Sequence, residues 1–162
     1  MYKSIAALVA LMSLTGCTTL SAEPVPSKAT ITSVKVIDHD PGGNVATRIK
    51  EIEGLIKNGT KVEIRGNCWS SCTLYTKLIE TDQFCVYPSA SLHFHAPWIR
   101  DQKTGENLGL AAPAYQAWFL MQYPNHIHMI IASTGGLTKE WLHLSGPMLK
   151  HVAPYCGEKQ HD

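Results

Sequence analysis

A serine, a histidine and two glycines are the residues of this chain whose types and order fit acyl-transfer chemistry. Ser70 falls at the predicted start of a helix, and His95 stands at the end of a later predicted strand. Gly42 and Gly43 follow Pro41 in a turn, where the backbone is able to present its amides. A hydroxyl, a base and outward-facing amides are the nucleophile, the proton acceptor and the oxyanion site that acyl transfer requires.

The hydrophobic pattern predicts that an α/β fold brings these residues together. The predicted elements are, in order, strand 31–38, helix 44–57, strand 61–65, helix 70–78, and strands 84–87 and 91–94. This alternation predicts a largely parallel sheet with crossover helices, in which ligands collect at the carboxyl ends of the strands. The predicted architecture also has a turn at Gly66-Asn67, a loop over 100–108 and a mainly helical C-terminal part over 112–150.

The order and spacing of these motifs resemble those of the Clp protease proteolytic subunit, a member of the ClpP/crotonase superfamily. In that family a Pro-Gly-Gly turn opens a helix, a strand runs into a Gly-x-x-x-Ser helix start, and a later strand ends in His-x-Pro. The corresponding segments here are 41–43, 66–70 and 95–97, and 25 residues separate Ser70 from His95. The resemblance implies a nucleophile at Ser70, a base at His95, and an oxyanion hole at the amides of Gly43 and Ser71.

One residue of the family's catalytic triad has no counterpart. The family supplies an aspartate downstream of its histidine, but the corresponding stretch, 143–147, contains no carboxylate. The third member of a triad mainly selects the tautomer of the histidine and stabilises the imidazolium. In this chain, that role would fall to Glu140, to another acid or to a backbone carbonyl. Low or absent activity is the expected consequence.

The chain resembles more closely a cysteine-rich branch of exported, Clp-protease-like proteins of unknown function. The Gly-x-Cys-x-Ser-x-Cys-Thr-Leu element of that branch is present at 66–74, its Cys-Val at 85–86, and its terminal cysteine at Cys156. The resemblance to the superfamily covers roughly 31–97, and the resemblance to the exported branch covers most of the mature chain. A ClpP/crotonase-like domain is therefore expected over 29–162.

The N-terminal residues have the features of a bacterial lipoprotein signal. Lys3 precedes an apolar stretch over 5–14, which is too short to span a bilayer as a helix. Leu14-Thr15-Gly16-Cys17 resembles a lipobox, so we expect residues 1–16 to be removed and Cys17 to carry the lipid, including palmitate. Residues 17–28 would then be a tether at a membrane facing the periplasm, and Thr18 after the lipidated cysteine favours the outer membrane. Cleavage after Ala22 is the alternative.

The other cysteines predict a disulfide framework. Cys68, Cys72, Cys85 and Cys156 are even in number, and export into an oxidising compartment favours two bridges. Three connectivities are open, and Cys72 with Cys85 is preferred because the helix between them is expected to fold back along the following strand. A zinc site on these cysteines is the alternative, although the last two do not form a second close pair.

Structural roles and metal binding compete with the hydrolase interpretation. Ser70 at a helix start fits a simple N-cap, and His95 fits a structural histidine. His93-x-His95 on a strand places two imidazoles on one face, where they would chelate a metal. A second pair, His126 and His128, cannot chelate if that segment is helical, because residues two apart then point in different directions. The four tryptophans are expected in the core or at a pocket rim.

The overall composition excludes two classes of protein. The 162 residues are 44% hydrophobic and 17% charged, with a net charge of +1, so the chain is neither a disordered polyelectrolyte nor a basic nucleic-acid binder. The sequence predicts an exported lipoprotein, held at a membrane by its lipid, with a serine-hydrolase site that acts on a peptide or other acyl bond without a cofactor. An inactive binding or structural module of the same fold and a His-based metal-binding periplasmic protein are the alternatives.

Overall fold

The computed structural model describes residues 30–101 and 103–158. The predicted signal peptide, Cys17, the tether and the predicted domain boundary at residue 29 therefore lie outside the described residues. Within them, no helix is both long enough and apolar enough to cross a membrane.

The strands are β1 Ser33–Asp40, β2 Thr60–Trp69, β3 Phe84–Val86, β4 Ser91–Phe94, β5 Trp98–Arg100, β6 Asn107–Leu110 and β7 Leu142–Ser145. The helices are α1 Val45–Lys57, α2 Pro113–Leu120 and α3 Asn125–Ser133, with 3₁₀ helices at Ser70–Thr81 and Gly146–His151.

A largely parallel sheet carries the fold. Its strand order is β1-β2-β4-β7, and β3 also pairs with β2. Strands β1, β3 and β4 run parallel to β2, whereas β7 runs antiparallel to β4. Because β2 and β4 are parallel neighbours, with Trp69 in register with His93, their carboxyl ends lie side by side. The predicted α/β class with a largely parallel sheet is confirmed.

The core lies between this sheet and the helices. Asn44 caps α1 by accepting a hydrogen bond from the Thr47 amide at 3.0 Å, and the helix buries Ile52 against the sheet. From the strands, Ile64 and Leu92 are fully buried. The 3₁₀ helix Ser70–Thr81 is buried over most of its length, so the residue at its start is held by the core rather than by a surface loop.

Three elements differ from the sequence prediction. The predicted Gly66-Asn67 turn is wrong, because β2 continues to Trp69. An added Cβ at Gly66 would lie 2.0 Å from the Asp38 carbonyl oxygen, so this glycine permits a close strand approach. The predicted loop over 100–108 is the connection of the β5–β6 hairpin, and it differs from the prediction only at its ends, where Arg100, Asn107 and Leu108 lie in the strands. Asp101 accepts the Lys103 and Thr104 amides in this connection at 2.8 Å each. The C-terminal part is less helical than predicted, since β7 adds a strand.

Two disulfides form among the four predicted cysteines. Cys68 pairs with Cys72, and Cys85 pairs with Cys156. The preferred Cys72–Cys85 bridge is therefore wrong, and so is zinc on these cysteines. Cys68 and Cys72 are close because the strand-to-helix junction falls between them, with a Cα–Cα distance of 5.3 Å. The second bridge joins β3 to the C-terminal segment across 71 residues.

Candidate active site

Ser70 stands at the junction between β2 and the following 3₁₀ helix in a left-handed backbone conformation. Its φ is 55°, a region that non-glycine residues adopt at a cost of about 1–3 kcal/mol. The N-cap position of the helix belongs to Trp69, and no side chain caps the helix. The interpretation of Ser70 as a simple N-cap is therefore wrong. The Ser70 hydroxyl accepts no hydrogen bond from the amides of this helix.

The structure brings Ser70 and His95 together. The Ser70 Oγ lies 2.7 Å from the His95 Nε2, within the hydrogen-bond reach that a nucleophile and its base require. His95 follows the end of β4, and Ser70 follows the end of β2, so the parallel pairing of these strands accounts for the contact. The Ser70 hydroxyl has no other hydrogen-bond partner within residues 30–101 and 103–158.

The glycine turn packs directly against the serine. Gly42 has a φ of 89°, and an added Cβ there would lie 2.7 Å from the Ser70 Cβ and 3.1 Å from the Ser71 nitrogen. Gly43, with a φ of 146°, lines the cavity beside Ser70. The Ser71 amide belongs to the first turn of its helix, where amides have no intrahelical acceptor. The two amides predicted to form the oxyanion hole thus flank Ser70 from two different segments.

A network of charged side chains holds this turn in place. The Asp40 carboxylate accepts the Gly42 amide at 2.8 Å and the Arg48 guanidinium at 2.6 Å. Arg48, on α1, also donates to Glu51 at 2.8 Å and to the Tyr75 hydroxyl. Because the Arg48 side chain is only 11% exposed, this pairing is shielded from solvent. The network connects the glycine turn to α1 and to the 3₁₀ helix that carries Ser70.

His95 is enclosed by aromatic rings. Its ring centroid lies 4.2 Å from that of Trp141 and 4.5 Å from that of Trp98, and the residue is 6% exposed. Burial lowers the pKa of His95 below its usual value of 6.5, the Ala96 backbone opposes this effect, and the positive charge of Arg100 adds to it. The imidazole is thus held neutral near pH 7, as a general base must be.

No carboxylate orients His95 within the described residues. The His95 Nδ1 is buried and forms no hydrogen bond of normal geometry there. The side chain of Glu140, the acid named from the sequence, is 80% exposed, and its Oε1 lies 3.9 Å from the Lys139 Nζ rather than at His95. Glu140 as the orienting acid is therefore wrong. Packing between two tryptophans restrains the ring where a triad would use an acid.

The serine and histidine open into a cavity of about 650 Å³. Its lining combines the glycine turn with aromatic side chains, and Arg100 and Asp101 add one charge of each sign. The aromatic residues of the lining are Trp98, Tyr115, Phe119 and Trp141. A cavity of this size fits part of a substrate, with an apolar wall opposite the polar groups.

The histidines proposed as metal ligands have separate partners. His93 contacts Ser91 and His143, while His95 contacts Ser70. His126 donates to the Val152 carbonyl at 2.8 Å, and His128 contacts the Leu120 carbonyl. In residues 30–101 and 103–158, three potential ligands converge only at Glu63, Cys85 and Cys156, where both sulfurs belong to a disulfide. The predicted His93-x-His95 chelate is not formed.

Trp98 and Trp141 line the cavity, as the expectation of tryptophans at a pocket rim had it, but sequence reasoning did not link them to His95 and missed Asp40 and Arg48. Trp98 lies three residues after His95, so its contact with the ring was open to inference from the sequence alone. The Asp40 side chain, which bonds two residues on to Gly42, is a recognisable turn signal. Trp141 and Arg48 carried no such signal, because their contacts depend on tertiary packing.

Comparison with known proteins supports the fold. No family model matches the chain, and no curated protein matches it. Among solved structures, it is similar to the membrane-bound stomatin-specific protease 1510-N, in a lysine-to-alanine mutant that holds a substrate peptide. The TM-score is 0.52 at 18% sequence identity, and the match covers 74% of this chain and 58% of that one. This likeness supports the predicted fold and extends to the fold alone.

Proposed function

We propose that this protein is a serine hydrolase that cleaves a peptide or other acyl bond. Ser70 is the nucleophile, His95 is the base, and the amides of Gly43 and Ser71 bind the oxyanion. The observation that carries the proposal is a strained serine hydroxyl 2.7 Å from a buried, neutral imidazole at the wall of a cavity. Backbone strain at a catalytic nucleophile contributes to the mechanism, whereas a purely structural serine would gain nothing from it.

In the proposed reaction, the Ser70 oxygen attacks the substrate carbonyl carbon while its proton passes to the His95 Nε2. The negative charge that develops on the carbonyl oxygen is stabilised by the two amides, which require no rearrangement. His95 then protonates the leaving group as the acyl-enzyme forms. Water, activated by the same imidazole, releases the acid and restores the serine.

The test is labelling with a fluorophosphonate probe, which reacts with an activated serine. Wild-type protein is expected to be labelled at Ser70, and Ser70→Ala and His95→Ala are expected to abolish labelling. Ser91→Ala is the matched control, because the Ser91 Oγ also lies 2.7 Å from an imidazole nitrogen but outside the cavity lining. Equal labelling of wild type and Ser70→Ala contradicts the proposal.

The second candidate is an inactive binding module of the same fold, favoured by the unpartnered His95 Nδ1. To accept the serine proton at Nε2, the neutral ring must keep its own proton on the buried Nδ1, and an unsatisfied buried donor costs about 1–3 kcal/mol. The opposite tautomer donates from Nε2 to Ser70 and leaves the hydroxyl unactivated. Nitrogen NMR of His95 distinguishes them: an Nε2–H ring in the free protein, together with no labelling, supports the inactive module.

We further propose that the chain belongs to the exported cysteine-rich branch and is anchored at a membrane through a lipid on Cys17. The lipobox-like segment 14–17 and the two disulfides support this proposal. Labelled palmitate is expected in the mature protein and absent from Cys17→Ser. Soluble wild-type protein that begins after Ala22 contradicts it.

A further inference from the structure

Outside the cavity, the antiparallel pairing of β4 with β7 places two imidazoles face to face. His93 and His143 are in direct cross-strand register, and the Nδ1 atoms of the two rings are in contact. His93 is 7% exposed, whereas His143 is exposed, so the pair is buried on one side and open to solvent on the other. Neither ring takes part in the proposed hydrolysis.

The hydrogen bonds around His93 leave its Nδ1 lone pair directed at His143. The Ser91 hydroxyl donates to the Asn67 Oδ1 at 2.6 Å, so its oxygen accepts a hydrogen bond from the His93 Nε2–H at 2.7 Å. With the proton on Nε2, the His93 Nδ1 is an acceptor, and the His143 Nδ1–H donates to it. A fixed tautomer with an outer hydrogen bond is how proteins orient histidine ligands toward metals.

Stacking fixes the plane of the same ring. The Trp69 ring lies parallel to that of His93, with centroids 3.6 Å apart and an interplanar angle of 3°. His93 therefore keeps an unprotonated nitrogen in a defined position, as a metal ligand must.

We infer that His93 and His143 form a two-histidine binding site for a late divalent transition metal, with His93 Nδ1 and His143 Nδ1 as the protein ligands. The metal takes the place of the proton between the two nitrogens. That proton leaves the His143 Nδ1, and the Nε2 of this exposed residue takes up another from water, so both rings stay neutral. A small outward rotation of the exposed His143 ring makes room for the ion.

The donor set indicates which ions bind. Imidazole suits copper, nickel and zinc, and the general affinity order places Cu²⁺ above both Ni²⁺ and Zn²⁺. The described residues supply no third convergent ligand here, so water completes the coordination shell and the affinity is expected in the micromolar range. This site goes beyond the proposed hydrolase and does not depend on it.

The experiment is calorimetric titration of the full protein, stripped of metal by a chelator, with CuCl₂ and separately with ZnCl₂. One saturable site is expected, tighter for Cu²⁺, and the exposed His143→Ala variant is expected to lose it while remaining folded. Ser91→Ala, which frees the His93 tautomer, is expected to weaken binding by about tenfold. His151→Ala is the matched control, since His151 is an exposed histidine outside β4 and β7.

Each outcome of the titrations either supports or overturns the inference. Binding that is lost in His143→Ala and retained in both His151→Ala and His95→Ala supports the site. Binding that persists in His143→Ala, or wild-type protein with no saturable site, overturns the inference. Loss of binding in His95→Ala but not in His143→Ala overturns it too, because the ligands would then lie in the cavity.

Discussion

Two serine–histidine pairs in this molecule have the same oxygen-to-nitrogen distance but differ in backbone conformation, in their other hydrogen bonds and in their surroundings. Ser70 with His95 and Ser91 with His93 each bring a hydroxyl oxygen to 2.7 Å from an Nε2 atom. Ser91 lies in a regular strand and gives its proton to Asn67, whereas Ser70 is strained and has no acceptor besides His95 within the described residues. A short serine–histidine distance is therefore a poor sign of catalysis on its own.

The surroundings separate the pairs more clearly. Ser70 and His95 line a cavity beside the glycine turn, while His93 is stacked on Trp69 and contacts His143. Under the two proposals, the first pair uses this space for a substrate and the nearby amides for an oxyanion, whereas the imidazoles of His93 and His143 hold a cation. The following variants test that division, in decreasing order of the change that each should produce.

Gly42→Ala is expected to have the largest effect, confined to the Ser70 pair. The new Cβ would lie 2.7 Å from both the Ser70 Cβ and the Trp69 carbonyl oxygen, so the turn must move and the Gly43 amide with it. Loss of one oxyanion donor lowers rates by about 10²–10³-fold. Fluorophosphonate labelling kinetics measure this effect. Gly135→Ala, at a φ of 94° with nothing within 4 Å, is the matched control and should leave labelling unchanged.

Removal of the Cys68–Cys72 bridge is expected to act next most strongly. The bridge spans the junction that holds Ser70, and closing so short a loop stabilises the fold by about 2 kcal/mol. Cys68→Ala with Cys72→Ala should lower both the midpoint of chemical denaturation and the labelling rate of folded protein. Cys85→Ala with Cys156→Ala should lower the stability more than the first double variant does, because this bridge closes a longer loop, but it should leave the labelling rate unchanged. Equal labelling rates in both double variants contradict a role for the first bridge at Ser70.

Alanine and glycine substitutions should have opposite stability orders at the two serines. At Ser70, both variants remove the hydroxyl, but only glycine relieves the left-handed backbone, so Ser70→Gly should exceed Ser70→Ala in stability by about 1 kcal/mol. At Ser91, in a strand, glycine should be the less stable by about 0.5–1 kcal/mol. Urea denaturation of the four variants measures both differences. The same order at both positions would mean that Ser70 is unstrained.

The smallest effect is expected in pH dependence. His95 must be neutral to accept a proton, and its pKa is lowered by burial, so labelling should rise with pH through a midpoint below 6.5. His143→Ala should leave that midpoint unchanged while raising the pKa of His93, because the His143 charge is one cause of its lowered value. Labelling rates against pH and proton NMR of the histidines measure the two titrations. A common shift in both would mean that the pairs are coupled.

Local features of the sequence determined much of the fold and the identity of the candidate pair. The apolar period of α1, its Asn44 cap and the β-branched run of β1 act over a few residues, so they predict their elements directly. Ser70 and His95 were found because each follows a strand, and parallel neighbouring strands end at the same edge of a sheet.

Only the tertiary structure decided which distant residues pair. The Cys85–Cys156 bridge and the His93–His143 contact join residues 71 and 50 positions apart. Neither pairing has a local signal. The disulfide depends on the packing of the C-terminal segment, and the histidine contact depends on β7, a strand within the part of the chain that was predicted to be mainly helical. The same holds for Trp141 against His95. Short-range periodicity and turn chemistry select the elements, whereas long-range contacts follow from how the chain closes its loops around one core.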